Sequence, residues 1–444
     1  MKALAGQQRI AGPITPEAIR AAVAAQRGMV ERLFSTLAAG SQGNPGIMRD
    51  TYGAGENFGH TLMVEAAAAA GLVVSTDAAA NTYATWRGAD ADAPAILMGS
   101  HLDSVPHGGN FDGAAGVIAG LVTIAALREL GVQPRCDVTV MGVRAEESVW
   151  FQVSYIGSRA ALGTLPEGAL EARRIDTGRS LADHMRDCGG DPEALRRGVR
   201  ALDPQRIRAF LEVHIEQAPS LVEAGFPVAI CTGIPGNFRY PNARIIGRHD
   251  HVGTPRRFRR DAAMAGMALA HAMDEIWTGH EAEGTQIAVT FGRFHTNAEM
   301  HGLTTVPGDF HFSLDMRAYD EAVLAGLEMQ MHQAIGRIEA QRNVTFELGQ
   351  RASAAVGLVD AGIQAALTQG AEMLGIRAMP LGSPASHDSA AFAAAGVPVA
   401  MLFVRNEHGS HNPKEAMEID DFMTAATVLA LWVAENAGVA ENAG

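Results

Sequence analysis

Ala95-Ile96-Leu97-Met98-Gly99-Ser100-His101-Leu102-Asp103 is the stretch that decides the fold. Its apolar part is too short for a typical helix and reads as a buried strand that runs into a polar loop. An apolar helix is predicted over 114–130. A second buried strand follows at Val138–Val143 and ends at Arg144-Ala145-Glu146-Glu147. Strand, helix and strand in this order predict an α/β domain. Open α/β sheets build their sites from polar residues at the carboxyl ends of the strands.

Working outward, 17–39 reads as a helix, with Thr15 a cap and Pro16 near its first turn. Residues 160–208 are Arg-rich, interrupted by glycine and without a readable pattern. The texture changes after about residue 235. Strands are predicted at 244–247, 285–294, 309–317 and 344–348, with helices at 261–280 and 320–341. In 309–317, Phe310, Phe312, Leu314 and Met316 alternate to one face. The order is βαββαβ, that of the ferredoxin-like split unit. A helix at 358–374, a strand at 397–404 and a helix at 420–437 then restore the α/β pattern. The expected architecture is an α/β domain, 1–235 and 353–444, interrupted by a smaller α+β domain, 236–352. A length of 444 residues, at roughly 150 per domain, fits two or three such units.

Lys and Arg total 35 against 49 for Asp and Glu, a net charge of −14. That argues against nucleic-acid binding, which needs basic surface. Cys136, Cys188 and Cys231 form neither a disulfide framework nor a CxxC motif, so a reducing cytoplasm is expected. Residues 1–20 lack the pattern of a secretory leader. The longest apolar run, 117–127, is shorter than the roughly 20 residues that span a bilayer, so no membrane association is expected. The repeat Glu-Asn-Ala-Gly at 435–438 and 441–444 reads as a frayed tail.

Five segments carry residues that stand where chemistry is expected. His101 reads either as a metal ligand, with Asp103 fixing its tautomer, or as a loop histidine beside an acid. Asp112, in Phe111-Asp112-Gly113, reads either as a helix cap or as a carboxylate shared by two metals. Glu146 and Glu147 are adjacent acids at the end of a buried strand. They would repel each other unless one bound a metal and the other acted as a base. His214, in Glu212-Val213-His214-Ile215-Glu216-Gln217, and His411, in Gly409-Ser410-His411-Asn412-Pro413, complete the set.

The order of these motifs resembles the amidase, hydantoinase and carbamoylase family of M20-type metallopeptidases. It runs His-x-Asp, Phe-Asp-Gly, Glu-Glu, His-Ile-Glu-Gln and Ser-His-Asn-Pro, and the likeness extends from about residue 30 to 435. The family includes N-carbamoyl-L-amino acid hydrolases, allantoate amidohydrolases and β-ureidopropionases. The resemblance implies two divalent ions, one held by His101, Asp112 and His214 and the other by Asp112, Glu147 and His411. Zn, Mn, Co and Ni all suit such ligands. It further implies Glu146 as general base and acid, and a homodimer formed through the inserted domain, which acts as a lid. His251 would stabilise the oxyanion across the dimer interface. Arg317 would grip a substrate carboxylate, and Gln217 would contact the substrate.

The chain also departs from the family. Thr304 stands where a substrate-binding asparagine is expected. Ser386-His387-Asp388 replaces Gly-His-Asp, Arg256 and Arg257 replace Met and a small residue, and Ala218 replaces glycine. All of these departures fall on the substrate side, where Thr304, Ser386 and His387 are the candidate substrate-binding residues, and they predict intact chemistry with an altered substrate. The resemblance favours an N-carbamoyl-L-amino acid. The alternatives are allantoate or ureidoglycolate, an N-acyl amino acid or dipeptide, and a non-catalytic binding protein.

Overall fold

The computed structural model describes residues 14–438. The leader reading of 1–13 and the repeat at 441–444 lie outside them. Contacts divide the chain into two compact units. One is Gly233–Gly357, and the other comprises the described residues up to Thr232 and from Leu358 onward.

The larger unit is built on an eight-stranded mixed sheet. Its order is Val73–Thr76, Thr82–Trp86, Val138–Val143, Ala95–His101, Ile207–Ile215, Val399–Val404, Val228–Cys231 and Ala378–Leu381. The run from Val138–Val143 to Val399–Val404 is parallel, so these strands deliver their carboxyl ends to one edge. All six residues of Val138–Val143 and of Val399–Val404 are buried, as continuous apolar runs in a covered parallel sheet require. Helix Ala114–Glu129 has thirteen buried residues and no polar face, because it lies between the sheet and other helices, including Ile419–Asn436.

Most expected elements of this unit lie where they were predicted. The expected helix 17–39 is two helices, Pro16–Ala25 and Arg27–Gly40, and Thr15 caps the first through its side chain. Within 160–208, short helices start at Ser180 and Asp191, whose side chains cap them. Residues 435–438 are not a frayed tail. Glu435 and Asn436 finish the last helix, and the carbonyl of buried Ala437 accepts from Arg135 N at 3.0 Å.

In the smaller unit, Gly236–Ile246 and Asp309–Ala318 pair antiparallel at the centre of a six-stranded sheet. Phe294–Thr296 and Ile287–Thr290 extend it beside Asp309–Ala318, and Thr345–Glu347 and Ala352–Ala354 beside Gly236–Ile246. Helix Ala262–Ala282 comes between Gly236–Ile246 and Ile287–Thr290 in the chain, and helix Glu321–Arg342 between Asp309–Ala318 and Thr345–Glu347. The alternation at Phe310, Phe312, Leu314 and Met316 is observed, and all four are buried in this unit's own core. The strand expected at 244–247 is longer, Gly236–Ile246, and that expected at 285–294 is broken in two.

Candidate metal centre

His101 ends the strand Ala95–His101, and His214 lies near the end of the neighbouring strand Ile207–Ile215. Both rings are buried. Nδ1 of His101 is 3.1 Å from the carbonyl oxygen of Asp103, and Nδ1 of His214 is 2.9 Å from that of Ile215. A carbonyl only accepts, so both Nδ1 atoms carry hydrogen. A neutral ring then has its lone pair at Nε2. The two Nε2 atoms are 3.5 Å apart, and that of His214 is 3.1 Å from Oδ1 of Asp112. Oδ1 itself is buried and has no hydrogen-bond partner among the described residues. When both rings are neutral, three acceptors face one another in a buried space, an arrangement that a cation between them would satisfy. This donor set fits a divalent ion of the Zn or Mn type.

Asp112 also faces a second group. Its Oδ2 is 3.4 Å from Nε2 of His411, which is 3.3 Å from Oε1 of Glu147. His101, Asp112 and His214 form one cluster with metal-ligand spacing, and Asp112, Glu147 and His411 form another. Asp112 belongs to both. Gly113 follows it with φ +68°, and a Cβ there would lie 2.5 Å from the His101 ring, so only glycine fits this approach.

The electrostatics favour added positive charge. Burial pulls the His101 and His214 imidazolium pKa values down, but nearby carboxylates outweigh it. His101 is raised well above its ordinary value by Asp103 and Asp112, and His214 is raised by Asp112. Hydrogen bonds to Asp112 and Glu147 push His411 up to about 11. Burial lifts Glu146 well above the usual carboxylate range. His101 opposes that lift and Glu147 adds to it. Glu146 Oε2 stands 4.0 Å from Nε2 of His101. A raised carboxylate here suits a group that takes up and returns a proton.

Asp103 organises both sides of the centre. It is fully buried, and its oxygens accept the backbone N–H groups of Glu146 and Glu147 at 3.1 and 3.2 Å and the Thr51 hydroxyl at 2.5 Å. It therefore fixes the turn that carries both glutamates as well as the His101 ring. Gln217 donates to Oδ2 of Asp112 at 3.0 Å.

The model of peptidase family M20/M25/M40 matches residues 97–435, a span that includes every residue of both clusters. The chain belongs to the M20/M25/M40 family. It is 35% identical to an N-carbamoyl-L-amino acid amidohydrolase of Geobacillus stearothermophilus over 90% of this chain and 95% of that protein. It is 30% identical to the allantoate amidohydrolase of Escherichia coli strain K12, over 82% of this chain and 87% of the other. Among solved structures, a hydantoinase/carbamoylase family amidase from Burkholderia ambifaria superposes with a TM-score of 0.80. That match has 29% identity and covers 94% of this chain and 98% of that one.

The remaining expected residues of this M20-family chain have distinct surroundings. His387 is buried against the His214 ring, with centroids 4.3 Å apart, and its Nε2 is 2.9 Å from the Ser383 hydroxyl. Burial, and then His214, hold it well below its ordinary pKa, so it is a neutral ring behind a candidate ligand. Glu212, His214 and His387 also have metal-ligand spacing. However, the Glu212 carboxylate already accepts from Ser100 and from the backbone and hydroxyl of Ser389. Ser386 is partly buried, and its hydroxyl has no partner among the described residues.

His251, Thr304 and Arg317 belong to the unit Gly233–Gly357. His251 is exposed on the short strand Asp250–His251, paired with Thr305, and the Thr304 carbonyl accepts from Val252 N at 2.9 Å. Arg317 donates through Nε to Asp315 at 2.8 Å, and Asp315 also pairs with Arg239.

The sequence reading did not find two residues that brace the ligands. Arg49 has no exposed surface, and it donates to the carbonyls of Leu102 at 2.7 Å and Asp112 at 2.9 Å. Glu415 accepts from the backbone of Phe111 and Asp112. A charged residue in a loop carries no periodic signal of burial. The one hint was the position of Glu415 just after Ser410-His411-Asn412-Pro413.

Proposed function

We propose that this chain is a two-metal amidohydrolase that cleaves a linear C–N amide bond, with the carbamoyl group of an N-carbamoyl-L-amino acid as its substrate. The observation that carries the metal reading is the convergence of His101 Nε2, His214 Nε2 and Asp112 Oδ1 in one buried cluster with metal-ligand spacing. Support for the substrate comes from the 35% identical N-carbamoyl-L-amino acid amidohydrolase of Geobacillus stearothermophilus. The allantoate amidohydrolase relative favours allantoate as a second reading.

Under this reading His101, Asp112 and His214 hold one ion, and Asp112, Glu147 and His411 the other. Zn, Mn, Co or Ni would serve. When bound, the ions acidify water and polarise the scissile carbonyl. Glu146 accepts the proton of the attacking water and delivers it to the departing nitrogen. The products are the amino acid, carbon dioxide and ammonia. Asp103 keeps Glu146 and His101 aligned while the proton moves. Gln217, Ser386 and His387 lie on the substrate side of the ligands or behind them. Arg317 binds the substrate carboxylate, since a guanidinium matches it bidentately.

In the same proposal, 1–235 with 353–444 is the catalytic domain. The insertion 236–352, ferredoxin-like in its βαββαβ order, is the lid and dimerisation domain. The partner subunit's His251 would stabilise the oxyanion. No helix among the described residues is long and apolar enough to cross a membrane, and the cytoplasm is the proposed location.

The test is ammonia release by protein reconstituted separately with Mn, Co, Ni or Zn. The panel is N-carbamoyl-L- and D-amino acids, allantoate, ureidoglycolate and β-ureidopropionate, with N-acetyl amino acids scored by free amine. Turnover of N-carbamoyl-L-amino acids, cut by at least about 100-fold in Glu146→Gln with metal content retained, is expected. Turnover of allantoate alone would select the second reading. Turnover of N-acetyl compounds alone would defeat both.

A further inference from the structure

His411 is the candidate ligand with the weakest support from its own element. It lies on loop 405–415, apart from the long strands and helices, and its side chain is 49% exposed. His101 and His214 are at most 2% exposed. The backbone around it is left-handed at His408, Gly409 and His411, with φ of +66°, +69° and +60°. A histidine keeps that conformation only where its surroundings impose it.

Some of the imposing contacts are internal to the loop. Asn406 donates to the Gly409 carbonyl at 2.9 Å, and Asn412 to those of His408 and Ser410 at 3.0 and 3.1 Å. The ties to the Asp112 loop converge on Glu415, which is only 8% exposed. Its Oε1 accepts from the backbone of Phe111 at 2.7 Å and of Asp112 at 3.2 Å. Its Oε2 is 2.9 Å from the Ser410 hydroxyl, which also meets Oδ2 of Asp112. The Asp112 loop passes over this carboxylate at Gly109, where a Cβ would stand 2.2 Å from Oε1 of Glu415. The two loops are therefore shaped around Glu415.

We infer that Glu415 is the positioning residue of the second ion. It clamps loop 405–415 against 109–112, fixes the separation of His411 from Asp112, and so sets occupancy of the Asp112–Glu147–His411 position without being a ligand. The inference rests on the two-metal reading. Asp112 is shared by both positions, but Arg49 also holds its carbonyl, and His101 and His214 are fixed by their own strands and by the carbonyls of Asp103 and Ile215, so the first position depends less on this clamp than the second.

The experiment titrates metal-free protein with Mn or Zn, following bound ions per chain. Wild type should bind two. Glu415→Gln should weaken the first by no more than a few-fold and the second about 10–100-fold, the usual cost of removing a partner of a ligand. Gly109→Ala keeps the carboxylate but crowds it, and should give the same selective loss. In His411→Ala, adding Glu415→Gln should change nothing further. Activity of Glu415→Gln should return when metal concentration is raised. Two undisturbed sites in both Glu415→Gln and Gly109→Ala would overturn the inference. So would parallel weakening of both sites with a lowered melting temperature of the metal-free protein. A wild type that binds fewer than two ions would overturn the two-metal reading, and the inference with it.

Discussion

Nη1 of Arg144 lies 3.0 Å from Oε2 of Glu56, and both side chains are sealed from solvent. The Glu56 carboxylate also accepts the backbone N–H groups of Tyr52 at 2.6 Å and Ala145 at 2.8 Å. Ala145 has φ +58° and directly precedes Glu146. The pair thus holds a strained residue that aims the proposed base. Removing one partner of a buried ion pair leaves an uncompensated charge, at a cost of about 3–5 kcal/mol. Glu56→Gln should lose stability of that order in urea unfolding of the metal-free protein. A loss below about 1 kcal/mol, the scale of an exposed pair, would mean the pair is not a strut.

Metal uptake should release protons. Without metal, Asp112 and Glu147 draw His411 towards its charged form, and Asp103 and Asp112 do the same for His101. A bound ion needs neutral imidazoles, so those protons must leave. Affinity should therefore fall as pH falls. Calorimetric titration in two buffers of different ionisation enthalpy should give different apparent heats. Equal heats would show that the ligands are already deprotonated.

His60 gives the larger unit an acid sensitivity independent of metal. Its ring is buried, with Nδ1 2.8 Å from the Thr82 hydroxyl, and burial followed by Arg144 holds its pKa well below 6.5. The folded state keeps it neutral, whereas the unfolded chain protonates it near 6.5. Its contribution is complete above that pH and is lost as pH falls, by at most about 1.4 kcal/mol per unit. His60→Gln should flatten the acid limb of stability between pH 6.5 and 5, measured on metal-free protein. Identical limbs would assign the loss to other groups.

If each active site takes His251 from the partner subunit, two inactive variants should rescue each other. A mixed dimer of Glu146→Gln and His251→Ala chains has one site with both wild-type residues. Random reassociation of equal amounts should restore about a quarter of wild-type activity, because half the dimers are mixed and each has one intact site. No recovery, with mixed dimers verified by mass, would place His251 in the site of its own chain, and a His251→Ala chain that is active by itself would place it outside the reaction.

The sequence made the candidate ligands legible for a physical reason. His101, Glu147 and His214 lie at or just past the ends of apolar strands, where a change from apolar to polar residues is visible along the chain. The helix Ala114–Glu129 and the alternating strand Asp309–Ala318 were readable from periodicity and burial in the same way. Thr82–Trp86 was not, although every residue in it is buried, because Thr, Tyr and Ala do not form an apolar run. Val228–Cys231 was too short to stand out. The braces were hidden by distance along the chain: Glu415 meets the Asp112 backbone across 303 residues, and Arg144 meets Glu56 across 88. Nothing local to either residue records such a partner.

The strand Val399–Val404 sits between Ile207–Ile215 and Val228–Cys231, both of which precede the 233–357 unit in the chain. During synthesis, those two strands leave the ribosome long before the one that joins them. The smaller unit is complete while the larger still has two open edges, which are prone to pair with the wrong neighbour. The candidate ligands of the first cluster are all present once His214 has emerged, whereas the second cluster must wait for His411. If the two-metal proposal holds, a newly made chain passes through a stage at which it could hold one ion but has neither a closed sheet nor a complete centre, and the segment 399–411 ends both vulnerabilities almost at once.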